Sequence, residues 1–178
     1  MEHFNDKIIG WFTWPRLYKD MVNKFPSVSQ FVEVGTYEGK SLAYLLVEMV
    51  NAKKEFKIVG VDSFTFTGEN GKNILENLYT NLDPVKNLFD TLICQSWDAA
   101  SQFEDKSLDF VFLDADHVYE SILKDLKAWI PKIKPGGIIA GHDYCDFHPG
   151  VPQAVNETFG KENVCFDYLD ERCWMKKL

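Results

Sequence analysis

The spacing of hydrophobic residues changes repeatedly along the chain, and each change predicts an element. Leu17, Met21, Val22 and Phe25 recur at helical spacing within Trp14 to Phe25, and Pro15 sits in the first turn, where its missing N–H is harmless; a short amphipathic helix is predicted. Gln30 to Val34 (QFVEV) reads as a strand. Leu42, Leu45, Leu46, Met49 and Val50 then fall at i, i+3, i+4, i+7 and i+8, one face of a helix. The next strand, Lys57 to Val61, ends at Asp62, and a polar stretch from Ser63 to Lys72 leads into a helix around Ile74 to Leu82. A third short strand covers Thr91 to Cys94, and Ser96, a good N-cap type, opens a short helix to about Phe103. Leu108 to Leu113 (LDFVFL) is almost uninterruptedly apolar, as strands buried on both faces are. A helical stripe of Tyr119, Ile122, Leu123, Leu126, Trp129 and Ile130 stops near Pro131, and Lys134 to Gly137 (KPGG) turns the chain into a strand, Ile138 to Ala140.

Parallel strands need long crossovers, so strands alternating with helices predict an α/β fold: a doubly wound, mostly parallel sheet with helices on both faces. The end of the chain differs. Val164 to Leu169 and Cys173 to Met175 are strands separated by three polar residues, short enough for an antiparallel hairpin at the sheet edge. At the other end, Ile8, Ile9, Trp11 and Phe12 make an apolar arm that must cover the core, a ligand cleft or a second subunit. One domain is expected, with residues 1–25 as arm and helix and 28–178 as the core; 178 residues leave no room for two full domains.

Composition narrows the partners. Hydrophobic residues make up 46% and charged ones 26%, which excludes a disordered or low-complexity chain. With 19 Lys and Arg against 27 Asp and Glu the net charge is -8, which argues against a nucleic-acid partner. No apolar run nears the roughly 18 residues that span a bilayer, and the start, MEHFNDKIIG, lacks a signal-peptide pattern, so a cytoplasmic protein with no membrane partner is expected. Cys94, Cys145, Cys165 and Cys173 form no Cys-x-x-Cys pair and read as reduced thiols rather than zinc ligands.

In open α/β sheets ligands bind at the carboxyl ends of the strands, and those positions are unusually polar here. After the first strand, Gly35 and Gly39 let the backbone turn sharply beside a helix N-terminus; they serve equally as a ligand cradle or as a plain strand-to-helix turn. The run is not Gly-x-Gly-x-x-Gly, and Val34 stands where a P-loop needs its first glycine, so an ATPase of that type is excluded. Asp62, 27 positions after Gly35, suits either a ribose diol or a turn. The fourth strand delivers Asp114, Ala115, Asp116 and His117, and the fifth His142, Asp143 and Tyr144, so acid and imidazole converge at one sheet edge. Asp116 reads as a helix N-cap or a ligand, His117 as a first-turn residue, His142 as a base or a hydrogen-bonded structural histidine, and His148 and Glu157 as surface residues.

Four motifs, FVEVGTYEGKS, VGVDSF, SLDFVFLDADHVYES and KPGGIIAGHDY, together span roughly Val28 to Phe159. In this order they resemble the class I S-adenosylmethionine-dependent methyltransferases, of the small methyltransferase-domain type. The resemblance implies a Rossmann-like sheet, with Glu33, Gly35, Thr36 and Gly39 lining the methionine and ribose side of the cofactor. It further implies Asp62 on the ribose hydroxyls, Ser63 and Phe64 flanking the adenosine, Ser96 and Trp97 by the adenine, and Asp114 reaching both cofactor and chemistry. Trp97 is otherwise a helix-start core residue. In the similar metal-dependent O-methyltransferases of the catechol and caffeoyl type, two aspartates and an asparagine hold a divalent cation. Asp114 and Asp143 match the aspartates, Tyr144 stands at the asparagine position, and His142 or Asp116 is the expected replacement, for Mg²⁺ or Mn²⁺.

O-methylation of a small hydroxylated molecule is therefore expected, with His142 as general base. A homo-oligomer is expected from the cluster of Trp11, Phe12 and Trp14. Three other readings stay open: a nicotinamide-type oxidoreductase, a metal-dependent hydrolase or hydroxylase on the same scaffold, and a non-catalytic interaction module.

Overall fold

The computed structural model describes residues 1–65, 67–68, 71, 73–166, 170 and 172–178. Its strands are β1 (Gln30–Val34), β2 (Lys57–Asp62), β3 (Asp90–Ile93), β4 (Leu108–Leu113), β5 (Ile133–Gly141), β6 (Cys165–Phe166) and β7 (Trp174–Lys177). They form one sheet in the order β3-β2-β1-β4-β5-β7-β6. β3, β2, β1, β4 and β5 pair parallel, and β7 runs antiparallel to both β5 and β6. The order reverses between β1 and β4, where a doubly wound sheet opens its ligand crevice.

Helices α1 (Pro15–Lys24), α2 (Lys40–Asn51) and α3 (Ile74–Asn81) cover one face, and α4 (Ser96–Ala99), α5 (Tyr119–Trp129) and α6 (Gly150–Phe159) cover the other. The side-chain period of two sorts the core. Phe31, Phe110 and Phe112 pack under α1 and α2, while Val32, Val34, Val111 and Leu113 face α4, α5 and α6. Burial of the LDFVFL strand on both faces follows from this two-sided cover.

Four expectations change. Ser96 begins α4 but does not cap it: Gln95 is the cap residue, and the Ser96 hydroxyl instead accepts a bond from Trp129 Nε1 at 2.9 Å. The KPGG segment lies inside β5, where the register shifts between Leu108 and Phe110; a Cβ on Gly137 would lie 3.0 Å from the Asp109 carbonyl, so glycine allows a bulge rather than a turn. Helix α6 was not anticipated, although Val151, Ala154 and Val155 bury one helical face. The Val164 to Leu169 strand is described only as Cys165–Phe166, and 167–169 lie outside the described residues, as does part of the Ser63 to Lys72 stretch.

The N-terminal arm folds onto its own chain. Ile8 and Trp14 are buried, Phe12 packs on Trp14, Tyr18 and Tyr44, and Trp14 lies against Phe112 and His142. Of Trp11, Phe12 and Trp14, only Trp11 is exposed, at 79%. Among the described residues no disulfide forms, and no helix is long and apolar enough to cross a membrane.

Candidate active site

A cavity of about 910 Å³ runs along the carboxyl ends of β1, β2, β4 and β5, within the range of small-molecule sites. Gly35, at φ +89°, closes its floor: a Cβ there would stand 2.0 Å from the Asp114 carbonyl oxygen, so the β1 and β4 ends approach only because residue 35 is glycine. Thr36 lines the cavity with a buried hydroxyl that has no hydrogen-bond partner, an unsatisfied group on a ligand wall. Gly39, at φ +88°, opens α2 and packs on Leu78 and Leu82 instead of on the cavity.

Asp62 ends β2 with its carboxylate fixed by two backbone donors: Tyr37 N–H to Oδ2 and Phe64 N–H to Oδ1, both at 2.9 Å. Each oxygen keeps a lone pair for a further donor, so the group is oriented to accept from a diol. Ser63 and Thr65 share this wall, whereas Phe64 turns inward and packs in the core rather than beside a ligand. Gln95, Ser96 and Trp97 form the far end, where Lys124 Nζ lies 4.8 Å from the Trp97 ring.

Glu33 does not line the cavity. Only 1% exposed, it lies behind the wall, accepting from Tyr18 OH at 2.7 Å and Ser41 Oγ at 2.8 Å. Burial pushes its carboxyl from the ordinary 4.5 up to about 7, against the pull of those two bonds. A raised carboxyl pKa means that the fold binds this proton more tightly than the unfolded chain does. Its stabilising contribution is complete below about pH 4.5 and is lost as the pH rises through about 7. Glu33→Gln removes that slope while keeping an acceptor for Tyr18. The melting-temperature difference between variant and parent should therefore shift in the variant's favour from about pH 5 to about pH 8, and a difference independent of pH would refute the assignment.

The acid and imidazole cluster occupies the other end. Asp143, in the left-handed region at φ 57°, points its carboxylate between two rings: Oδ2 is 2.8 Å from His117 Nε2 and Oδ1 is 3.2 Å from His142 Nδ1. Burial raises the Asp143 pKa, but the two imidazoles overcome it and hold the group well below the usual carboxylate range. Asp114 Oδ1, at 3.9 Å, and the nearer Asp143 push His117 up to about 10 against its burial.

His142 is 7% exposed and both of its nitrogens are engaged: Nδ1 with Asp143, and Nε2 at 3.2 Å from both Asp170 Oδ2 and Thr13 Oγ1. Burial disfavours its charge, yet Asp143, Asp114 and Asp170 raise its pKa. Thr13 also donates to Asp170, which burial pushes up but Thr13 and Arg172 bring down to about 2. The ring expected to be a base or metal ligand lines the cavity and is held by Asp143, by Thr13 of the arm and by Asp170. Tyr144 turns away, donating to Asn156 at 2.9 Å. Asp116 lines the cavity and accepts from Val118 N–H at 3.1 Å; Val118 rather than Asp116 is the cap position of α5.

Of the residues singled out from sequence, Gly35, Thr36, Asp62, Ser63, Ser96, Trp97, Asp114, His142 and Asp143 meet at the cavity, while Glu33, Gly39 and Phe64 stand behind it. The cavity adds residues that sequence reasoning missed. His148, expected on the surface, lines the cavity and packs at a tilt on His117, with ring centroids 4.2 Å apart, whereas Glu157 is exposed as expected. Trp11 and Phe147, the latter 86% exposed, stand at the walls, and Asp125 is buried with one carboxylate oxygen unpartnered. Asp143 shares two groups of possible ligands, one with His117 and His148 and one with Asp114 and His142, each with ligand atoms within 4.8 Å of one another, and such mixed donors suit a divalent cation.

A family model described as "Methyltransferase domain" matches residues 32–144. An uncharacterised protein of Acanthamoeba polyphaga mimivirus is 29% identical over 136 residues, 71% of this chain and 58% of that protein. An uncharacterised protein of Sinorhizobium fredii is 35% identical over 46 residues, 26% of this chain. The chain thus spans little more than half of the first relative and 5% of the second. Among solved structures, the O-methyltransferase NovP matches with a TM-score of 0.69 at 20% identity, over 92% of this chain and 78% of its own. The TDP-rhamnose 3'-O-methyltransferase CalS11 matches with a TM-score of 0.66 at 18% identity, over 92% and 76%. At these identities the structural likeness shows the fold.

Proposed function

Since the chain belongs to the methyltransferase-domain family, we propose that it transfers the methyl group of S-adenosylmethionine to a hydroxyl of a small acceptor. The observation that carries this reading is that one cavity joins the Gly35, Thr36, Asp62 and Ser96 wall to the Asp114, His117 and Asp143 cluster. At the first wall the chain offers a close backbone approach at Gly35, the unsatisfied Thr36 hydroxyl, a pre-oriented diol acceptor in Asp62, and the Trp97 ring beside the base position. These groups fit a nucleoside carrying an amino-acid tail, and the acidic lining suits a sulfonium.

Displacement at a sulfonium methyl needs little beyond alignment of oxygen, carbon and sulfur, because the electrophile is already activated. The acceptor hydroxyl does need its proton weakened. A divalent cation bound on Asp114 and Asp143 would supply Lewis acidity that lowers the hydroxyl pKa. Asp114 lies next to Gly35 and so brings the hydroxyl end against the cofactor end. His142 keeps Asp143 oriented, and the arm and hairpin exclude water behind it. Oxygen as the methylated atom is supported by this cluster and by the names of the two fold relatives.

Calorimetric titration of the folded protein with S-adenosylmethionine and S-adenosylhomocysteine, with and without EDTA, tests the reading. One site of micromolar affinity is expected for both. Absence of binding would refute it, and binding of NADH instead would favour an oxidoreductase.

A further inference from the structure

Helix α5 buries a carboxylate at the far end of the cavity, away from the imidazole cluster. Asp125 lines the cavity together with Gln95, Ser96 and Trp97, yet it is only 4% exposed. Carboxylates are rarely buried so far unless both oxygens are engaged. One partner is Ser96. Trp129, one turn further along α5, donates from Nε1 to Ser96 Oγ at 2.9 Å, which leaves the Ser96 hydroxyl proton free for the Asp125 carboxylate. The oxygen Oδ1 has no partner. Burial pushes the Asp125 carboxyl from the ordinary 3.8 up to about 6, against the pull of the Ser96 bond and with a further push from Asp116. At neutral pH the group is therefore mostly an anion, with one acceptor unused.

The methyl donor proposed above limits what that oxygen can meet. Asp62 is oriented for the ribose diol, so the base goes toward Gln95, Ser96 and Trp97. Around an adenine ring the nitrogens are acceptors, and the exocyclic amine on C6 is the donor. An ionised carboxylate only accepts, so the amine is the group it can bond.

We propose that Asp125 reads the base: its free oxygen accepts a hydrogen bond from the C6 amine, so the cavity selects a 6-aminopurine over a 6-oxopurine. The inference rests on the methyl-donor reading and adds base selectivity to it. A hypoxanthine ring carries a carbonyl at the same position, and two acceptors would then face each other unpaired. Ser96, held by Trp129, positions the carboxylate. Trp97 offers a ring face on which any base can stack, so it supplies affinity without this discrimination.

The test titrates the full chain calorimetrically with S-adenosylhomocysteine, with S-inosylhomocysteine, and with the analogue that carries hydrogen in place of the C6 amine. The parent is expected to bind the first roughly 100-fold tighter than either of the others. Asp125→Asn keeps the shape and offers a donor beside an acceptor. It should bring S-adenosylhomocysteine and S-inosylhomocysteine within about 10-fold of each other, with S-inosylhomocysteine gaining in absolute affinity. A merely structural role would weaken both ligands alike and leave their ratio at the parent's value. That unchanged ratio, or a parent that binds all three equally, would overturn the base assignment while the binding of S-adenosylhomocysteine upholds the methyl-donor reading. Binding of none of the three would overturn both. The three-ligand comparison in the parent needs no variant, so the proposal stays open to refutation even where Asp125→Asn melts far below the parent.

Discussion

Gly35→Ala is expected to abolish S-adenosylmethionine binding and to lower the melting temperature by about 10 °C. The added Cβ would stand 2.0 Å from the Asp114 carbonyl oxygen, 2.5 Å from its carbon and 2.9 Å from Ala115 N. All three are backbone atoms, so no side chain can swing away. The residue also holds φ at +89°, which costs any L side chain roughly 1–2 kcal/mol. Overpacking adds a comparable amount, for a total of about 3 kcal/mol. Relief requires separating the ends of β1 and β4, which breaks the 2.8 Å bond from Asp114 N to Val34 O. That movement also displaces Asp114 from the cofactor wall. Thermal melting and cofactor titration of the purified variant decide the matter; a variant that melts with the parent and still binds would show that the strand ends are not closed as described.

Asp143→Asn is expected to cut methyl transfer to any accepted hydroxyl by about 10²- to 10³-fold while leaving the fold intact. Asparagine is nearly isosteric and tolerates the left-handed conformation that this position adopts at φ 57°. What it loses is the anion between His117 and His142. The effect is visible without any acceptor. His117, held at about 10 by Asp114 and Asp143, should titrate at lower pH in the variant, yet above its ordinary 6.5 because Asp114 remains. Ring-proton NMR across the pH range reads this directly. An unmoved His117 titration, or full turnover, would remove Asp143 from its central place.

The ends of β1 and the whole of β4 were legible because a strand packed between two helical layers reads as an apolar run, and the helix stripes of α2 and α5 carry their own period. The site was legible as far as strand ends mark it: Gly35 and Asp114 follow directly on β1 and β4, Asp62 ends β2, and Asp143 stands two residues past β5. Glu33 was misplaced although parity carried the answer. It shares a face with Phe31, two residues before it, and so points under α1 and α2 toward Tyr18 and Ser41 instead of along the strand into the crevice.

Alone, then, the sequence determined the fold class, the strand ends that bear ligands, and the family resemblance. These depend on periodicity and on spacing within short segments, which local residue order encodes. Tertiary structure alone decided that His142 is clamped by Thr13 and Asp170, and that His148 joins His117 at Asp143. Those contacts link residues up to 129 positions apart, and His148 lies in an irregular loop without period, so its direction comes from chain packing and from nothing in its neighbours.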